Sequence, residues 1–257
     1  MAPKESKVTV PALAQMKRDG RKIVGVVAWD YQIAQIADRA GADMVSVGDS
    51  VGVNLWGQAN EGEVTMDEIL VVCKAVRRGV KHALVSCDLP SGLARQGADA
   101  ALRAATRLVK DGGADMIKLD GAEEFPDTVR AIARAGIPVF AEFHGGPKAA
   151  EMTAKLVDQA KLLEQAGAAL LDFRYSGPVA GPAVVSAVAI PVIGGLGGGP
   201  WLDGRMRMAH AAIGYAANMI ESKTETYANV AKITLDALTS YAEDVRAGRH
   251  LKGQRPA

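Results

Sequence analysis

Cysteine is nearly absent: Cys73 and Cys87 are the only two in 257 residues. Neither stands in a CxxC or other metal-ligand spacing, which excludes a thiolate metal motif. A disulfide between them stays open, but two reduced, buried thiols are the better expectation. Charge of one sign is lacking as well. Lys and Arg number 30 against 29 Asp and Glu, a formal net charge of +1. Bulk charge therefore gives no support to nucleic-acid or membrane-surface binding. Short basic clusters such as Arg77-Arg78 and Arg205/Arg207 read by default as solvated helix faces. No apolar run is long enough to span a bilayer, and the opening MAPKESKVTVPALAQMK lacks the apolar core of a signal peptide. A soluble, cytoplasmic protein is expected, with a small molecule rather than a nucleic acid or membrane as its partner. HExxH, GxSxG and P-loop motifs are missing, and no GxGxxG follows a first strand, so a nicotinamide-binding reading is weak.

What is present is an apolar chain of barrel size. Hydrophobic residues make up 49% and charged residues 23%, enough to bury a sizeable core. Short apolar runs alternate with helical segments. The runs are 23–29, 43–48, 83–89, 116–120, 138–144, 170–175 and 191–196, with a poor eighth candidate at 211–216 that is open to a helical reading. The helical segments are 31–40, 66–79, 97–112, 126–136, 149–167 and 179–189, often closed by glycine as C-caps are. Such alternation implies parallel strands with right-handed crossovers. A (β/α)8 TIM barrel is expected, with a doubly wound open sheet as runner-up. The barrel is favoured by a repeated device: AGADMVSVGD, GGADMIKLDG and AGAALLDFRY each run from a helix end into an apolar strand finished by polar residues. Residues 227–248 read as a further helix, with apolar positions at Val230, Ile233, Leu235, Leu238 and Val245, that packs on the barrel or on a neighbouring subunit. With no linker in sight, residues 1–257 are expected to be one barrel domain with an N-terminal extension and a C-terminal helix.

Three aspartates end consecutive runs: Asp49 in VSVGDS, Asp88 in LVSCDLP and Asp120 in IKLDG. On adjacent barrel strands their side chains converge on one mouth. Hard oxygen ligands of this kind suit Mg²⁺, and a 2-oxo acid chelates such an ion through its keto and carboxylate oxygens. Any one Asp is equally well a helix or turn cap; three on adjacent strands are much less so. Lys118 lies two residues before Asp120 and faces the same side, placed either to polarise a substrate carbonyl or to form a salt bridge in the mouth. Ser50 is a donor to a substrate carboxylate or an N-cap. Glu142 and His144 share a face at the end of the fifth run, and either suits a general acid or base. Arg174, ending the sixth, suits bidentate clamping of a carboxylate or balances the aspartates. The turn holding Gly194, Gly195, Gly197, Gly198 and Gly199 is where barrels often bind phosphate or carboxylate groups.

These residues carry a resemblance over nearly the whole chain. AWDY (28–31), VGDSVG (47–52), AVRRG (75–79), DLP (88–90), MIKLDG (116–121), IPVIGGLGGG (190–199) and DG (203–204) resemble the ketopantoate hydroxymethyltransferase family. The resemblance implies a barrel of the phosphoenolpyruvate mutase/isocitrate lyase superfamily. It implies Mg²⁺ at Asp49 and Asp88, with Asp120, a Glu in the family, as a further ligand or in the outer shell. Ser50, Asp88 and Lys118 match positions that contact the 2-oxo acid. The implied reaction moves a hydroxymethyl group from 5,10-methylenetetrahydrofolate to 3-methyl-2-oxobutanoate in pantothenate synthesis, in a homo-oligomer, typically a decamer. The chain also departs from the family. The family's strand-six LECVP places its Glu, the favoured base, at Arg174. Its strand-five GHxGLTPQ places its His at Glu142, or at His144 with a slip of two, and the following loop is shorter here. An arginine stays protonated and is no carboxylate base. Either Glu142 or His144 therefore moves the proton, or the chain is a lyase, aldolase or decarboxylase acting on a different 2-oxo acid.

Overall fold

The computed structural model describes residues 6–253, which fall into two compact units, one ending at Arg207 and one beginning at Met208. Eight strands pair in parallel, each with the next: β1 (Ile23–Val27), β2 (Met44–Val47), β3 (Leu84–Asp88), β4 (Met116–Leu119), β5 (Val139–His144), β6 (Ala168–Arg174), β7 (Val192–Gly194) and β8 (Gly204–Met208). They close into a barrel, so the open-sheet alternative falls. Helix α1 (Val10–Arg18) precedes β1. Helices α2 (Tyr31–Arg39), α3 (Val51–Leu55), α4 (Met66–Gly79), α5 (Ala98–Lys110), α6 (Pro126–Arg134), α7 (Thr153–Ala166) and α8 (Gly177–Ala187) lie between strands. The second unit contains α9 (Ala209–Ala212) and α10 (Val230–Arg246).

Local chemistry sets these boundaries. Thr65 and Glu68 form a reciprocal capping box that starts α4. The repeated helix-end turn holds its glycine at positive φ in all three copies, Gly41, Gly113 and Gly167. Seven expected strands form close to where their apolar runs lie. The eighth is a correction: residues 211–216 are not a strand, and 204–208 are. In GRMRM, Gly204 and Met206 are buried while Arg205 and Arg207 are exposed, the alternation of a strand and not of a helix face. A side chain at 204 would put its Cβ 2.2 Å from the Ile23 carbonyl oxygen, so only glycine lets β8 approach β1.

The floor of the barrel is apolar. Ile23, Met44, Leu84, Met116, Phe140, Leu170, Ile193 and Met206, one from each strand, pack into one buried cluster. Leu13 and Met16 of α1 join it, so the N-terminal extension plugs the floor. Each such buried side chain contributes about 1.5–3 kcal/mol. Lys17 fixes the plug, its ammonium donating to the carbonyls of Val185, Val188 and Ile190 at 2.9 Å each.

Two residues further along β2 to β6 the strand period brings the next inward positions, and these are polar. Ser46 and Ser86 are Cα partners and share a 2.7 Å hydrogen bond between hydroxyls. Lys118, Glu142 and Asp172 take the same place on β4, β5 and β6. On β5 and β6 the alternate positions hold register: Phe143 and Phe173 are Cα partners and stack at 4.4 Å between ring centroids. Glu142 is thereby paired with Asp172, and His144 with Arg174.

No helix among the described residues is long and apolar enough to cross a membrane. Along α10, Ile233, Leu235, Leu238, Tyr241 and Val245 are exposed. Both cysteines are free and buried.

Candidate active site

The mouth gathers the expected residues at the C-terminal ends of β2 to β6. Asp49 follows β2, Asp88 ends β3 and Asp120 follows β4, and each offers an oxygen within 4.8 Å of those of the other two. Asp49 and Asp88 are buried. Asp88 Oδ1 is buried yet accepts no hydrogen bond from any described residue. Gly48 keeps the space beside them open, since a Cβ there would lie 2.9 Å from Ser50 Oγ and 3.7 Å from Asp88 Oδ2. Three converging carboxylates, one of them carrying an orphaned oxygen, fit a divalent cation. Without one, burial and then the Asp120 charge push the Asp49 carboxyl up to about 7. Burial likewise drives Asp88 well above the carboxylate range. Ser50 occupies the N-cap position of α3, but its side chain makes no capping bond.

Lys118 sits between the two sides of the mouth. Its ammonium donates to Asp120 Oδ1 at 2.5 Å and Asp88 Oδ2 at 3.4 Å. It also lies 2.5 Å from Glu142 Oε2 and 4.0 Å from Asp172 Oδ2. The Glu142 contact is an ion pair without hydrogen-bond geometry, so Oε2 accepts no hydrogen bond. Burial opposes the charge on Lys118, but Asp120, Asp88 and Glu142 outweigh it and hold the ammonium firmly protonated.

Glu142 is the hub of the other side. Its Oε1 lies 2.6 Å from His144 Nε2 and accepts from Arg174 Nη1 at 2.9 Å. Burial alone would raise its pKa, yet Lys118, His144 and Arg174 together hold it far below the usual carboxylate range. The same hydrogen bond from Glu142 raises His144 above an ordinary histidine. The His144 side chain is 47% exposed, so it faces solvent at the mouth while Glu142 is sealed beneath. Arg174 is held protonated by Glu142 despite its burial. Its guanidinium carbon lies 5.9 Å from the ring centroid of Tyr175, a non-glycine residue at φ 52°. Backbone of that kind is strained and clusters at functional sites.

Asp172 is the site residue that sequence reasoning missed. It lies two residues before Arg174 and faces inward, but it stands inside the apolar run LLDF. Strand period counted back from Arg174 was the signal that would have found it. The glycine-rich turn after β7 is explained by packing. A Cβ at Gly199 would lie 2.3 Å from the Trp201 ring, and one at Gly194 2.6 Å from Leu202. The amide of Gly195 is engaged by Asp172 Oδ1 at 3.3 Å.

The ketopantoate hydroxymethyltransferase family profile matches residues 7–251. The chain belongs to the ketopantoate hydroxymethyltransferase family. A 3-methyl-2-oxobutanoate hydroxymethyltransferase of Moorella thermoacetica is 36% identical over 95% of this chain and 95% of that protein. One of Geobacillus kaustophilus is 34% identical over 90% and 87% respectively. Among solved structures, a 2,3-dimethylmalate lyase of the PEP mutase/isocitrate lyase superfamily superposes with a TM-score of 0.65 at 14% identity, covering 96% of this chain and 91% of that one. A phosphonopyruvate hydrolase in complex with oxalate and Mg²⁺ superposes at 0.62 with 15% identity, over 96% and 91%. At such identities the two structures bear out the barrel alone.

Proposed function

We propose that this family member is a Mg²⁺-dependent enzyme that forms a carbon–carbon bond at the carbon next to the carbonyl of a 2-oxo acid. The reading taken from the family is hydroxymethyl transfer from 5,10-methylenetetrahydrofolate to 3-methyl-2-oxobutanoate, giving ketopantoate. The carrying observation is the convergence of the Asp49, Asp88 and Asp120 carboxylates together with a buried Asp88 oxygen that no group of the described chain satisfies. Asp49, Asp88 and Asp120 would hold Mg²⁺, which when bound draws electron density from a 2-oxo acid carbonyl and acidifies the neighbouring C–H.

The chain's own residues divide the remaining work. Lys118 presents a fixed positive charge to the substrate oxygens, and Ser50 offers a hydroxyl to the carboxylate. Of the two candidate bases, His144 is favoured. Glu142 is held ionised by Lys118, the His144 hydrogen bond and Arg174 and is sealed from the mouth, which leaves it a poor proton acceptor. It serves instead to orient His144. With His144 Nε2–H donating to Glu142, Nδ1 carries the lone pair that takes the substrate proton. The test is deuterium incorporation beside the carbonyl of 3-methyl-2-oxobutanoate, followed by NMR with Mg²⁺ and without folate, then turnover with folate added. Exchange and turnover are expected; failure of both overturns the proposal.

Arg174 supports a second reading, a lyase, aldolase or decarboxylase acting on another 2-oxo acid. Only one of its guanidinium nitrogens is committed to Glu142, and a guanidinium at the mouth suits a second carboxylate. NMR screening of oxaloacetate, malate-like acids and 4-hydroxy-2-oxo acids tests it, and silence across the panel removes it. The family expectation of a homo-oligomer suits the exposed apolar residues of α10, and light scattering of the purified protein checks it.

A further inference from the structure

Asp172 is fully buried on the inward face of β6, beside Glu142 in the strand register. The two carboxyls are served unequally. Glu142 touches Lys118, His144 and Arg174. Asp172 has Lys118 at 4.0 Å and one hydrogen bond, from the Gly195 amide at 3.3 Å. Lys118 is itself committed to Asp120 and Glu142 at 2.5 Å each. The charged groups facing Asp172 are thus Lys118 from β4 and Asp120 just past it, Glu142 from β5, and Arg174 on its own strand, whose guanidinium turns to Glu142. From the turn after β7 comes the backbone N–H of Gly195. An ionised Asp172 is a buried anion beside another anion, with no counter-ion of its own. Burial first, and then the Glu142 charge, accordingly push its carboxyl up to about 7.

The charge balance of the mouth gives this placement a consequence. Five carboxylates (Asp49, Asp88, Asp120, Glu142 and Asp172) face the permanent cations Lys118 and Arg174. A divalent cation at the first three still leaves the site net negative, and a 2-oxo acid arrives as an anion. A proton on Asp172 removes that excess, and protonation of His144 acts in the same direction. We propose that Asp172 is a proton-linked switch for anion binding: it must carry a proton when the anionic 2-oxo acid is bound, and binding draws that proton from solvent. This rests on the 2-oxo acid reading above and adds to it the residue that sets the pH range of substrate affinity.

The probe is oxalate, which presents two oxygens as a 2-oxo acid does, titrated calorimetrically into Mg²⁺-saturated protein in buffers of different ionisation heat. At about pH 8 the wild type is expected to take up close to one proton more per oxalate than Asp172→Asn. Above pH ~7 its dissociation constant should rise by up to about tenfold per pH unit more steeply than the variant's. Equal proton uptake in the two proteins overturns the inference alone. Absence of oxalate binding at any pH overturns the 2-oxo acid reading and the inference with it. If the variant does not fold, infrared spectra of the wild type decide. A buried carboxylic-acid C=O band should fade as pH rises through neutrality and return on adding oxalate. A spectrum without that band overturns the proposal.

Discussion

The two sides of the barrel mouth are built on opposite principles. On the β2–β4 side, three carboxylates converge and leave Asp88 Oδ1 unsatisfied. On the β5–β6 side, Glu142, His144 and Arg174 satisfy one another at 2.6 and 2.9 Å. The first side is incomplete without a cation from outside; the second is closed on itself in charge, each Glu142 oxygen already facing a cation of the chain, Lys118 or Arg174. Lys118, in contact with Asp88, Asp120 and Glu142, ties them together.

The sharpest way to break this comparison is at Asp88. Asp88→Asn is expected to abolish Mg²⁺ binding in calorimetry and to lower turnover by about 10³-fold or more, since a metal supplies several kcal/mol of transition-state stabilisation. Retained Mg²⁺ affinity would show that the β2–β4 side is not the cation site. Next in size is His144→Ala. Loss of a general base costs about 10²–10⁴-fold, so deuterium exchange beside the carbonyl should fall by that much while Mg²⁺ affinity stays. Exchange that survives in His144→Ala and vanishes in Glu142→Gln would reverse the roles assigned to this pair.

Arg174→Met acts more gently and sharpens the β5–β6 side. It removes one charge-assisted bond to Glu142, about 1.5–3 kcal/mol, with the lower end apt for a side chain 26% exposed. Urea denaturation measures that loss. The Arg174 charge lowers the His144 pKa, so its removal raises it. A base must be neutral to act, so the acidic limb of the pH–rate profile should move to higher pH. An unmoved limb would mean that His144 is not the base.

Much of this was legible in the sequence, for identifiable reasons. Asp49, Asp88 and Asp120 were found because each closes an apolar run, and run ends mark the mouth in a barrel; Lys118 followed from the two-residue period counted back from Asp120. β8 was lost because Arg205 and Arg207 alternate with Gly204, Met206 and Met208, leaving only two apolar side chains in five residues. Its place is fixed by closure against β1, a tertiary fact. The Glu142–Arg174 bond was equally hidden, because it depends on the β5–β6 register that Phe143 and Phe173 hold from the alternate positions. Asp172 could have been found by period alone and was masked by its apolar neighbours.

The smallest expected effect is on stability, and its sign follows from Asp172. The ordinary carboxylate value of 3.8 stands for the unfolded chain, and the folded carboxyl is at about 7. Below the first value the group is protonated in both states and favours neither. Between the two the folded protein binds the extra proton, so stability falls as pH rises through this window. Above about 7 the cost of the buried charge is complete and constant. Asp172→Asn never ionises and escapes that cost, offset in part by loss of the contact with Lys118. In metal-free protein the variant should melt no higher than wild type at about pH 4, gain on it as the pH rises toward 7, and stay a few degrees above it beyond, about 2–4 °C per kcal/mol in a domain of this size. A melting difference that does not change with pH would show that Asp172 is ionised throughout. The β5–β6 side would then hold two adjacent buried anions, and its description as closed on itself would fail.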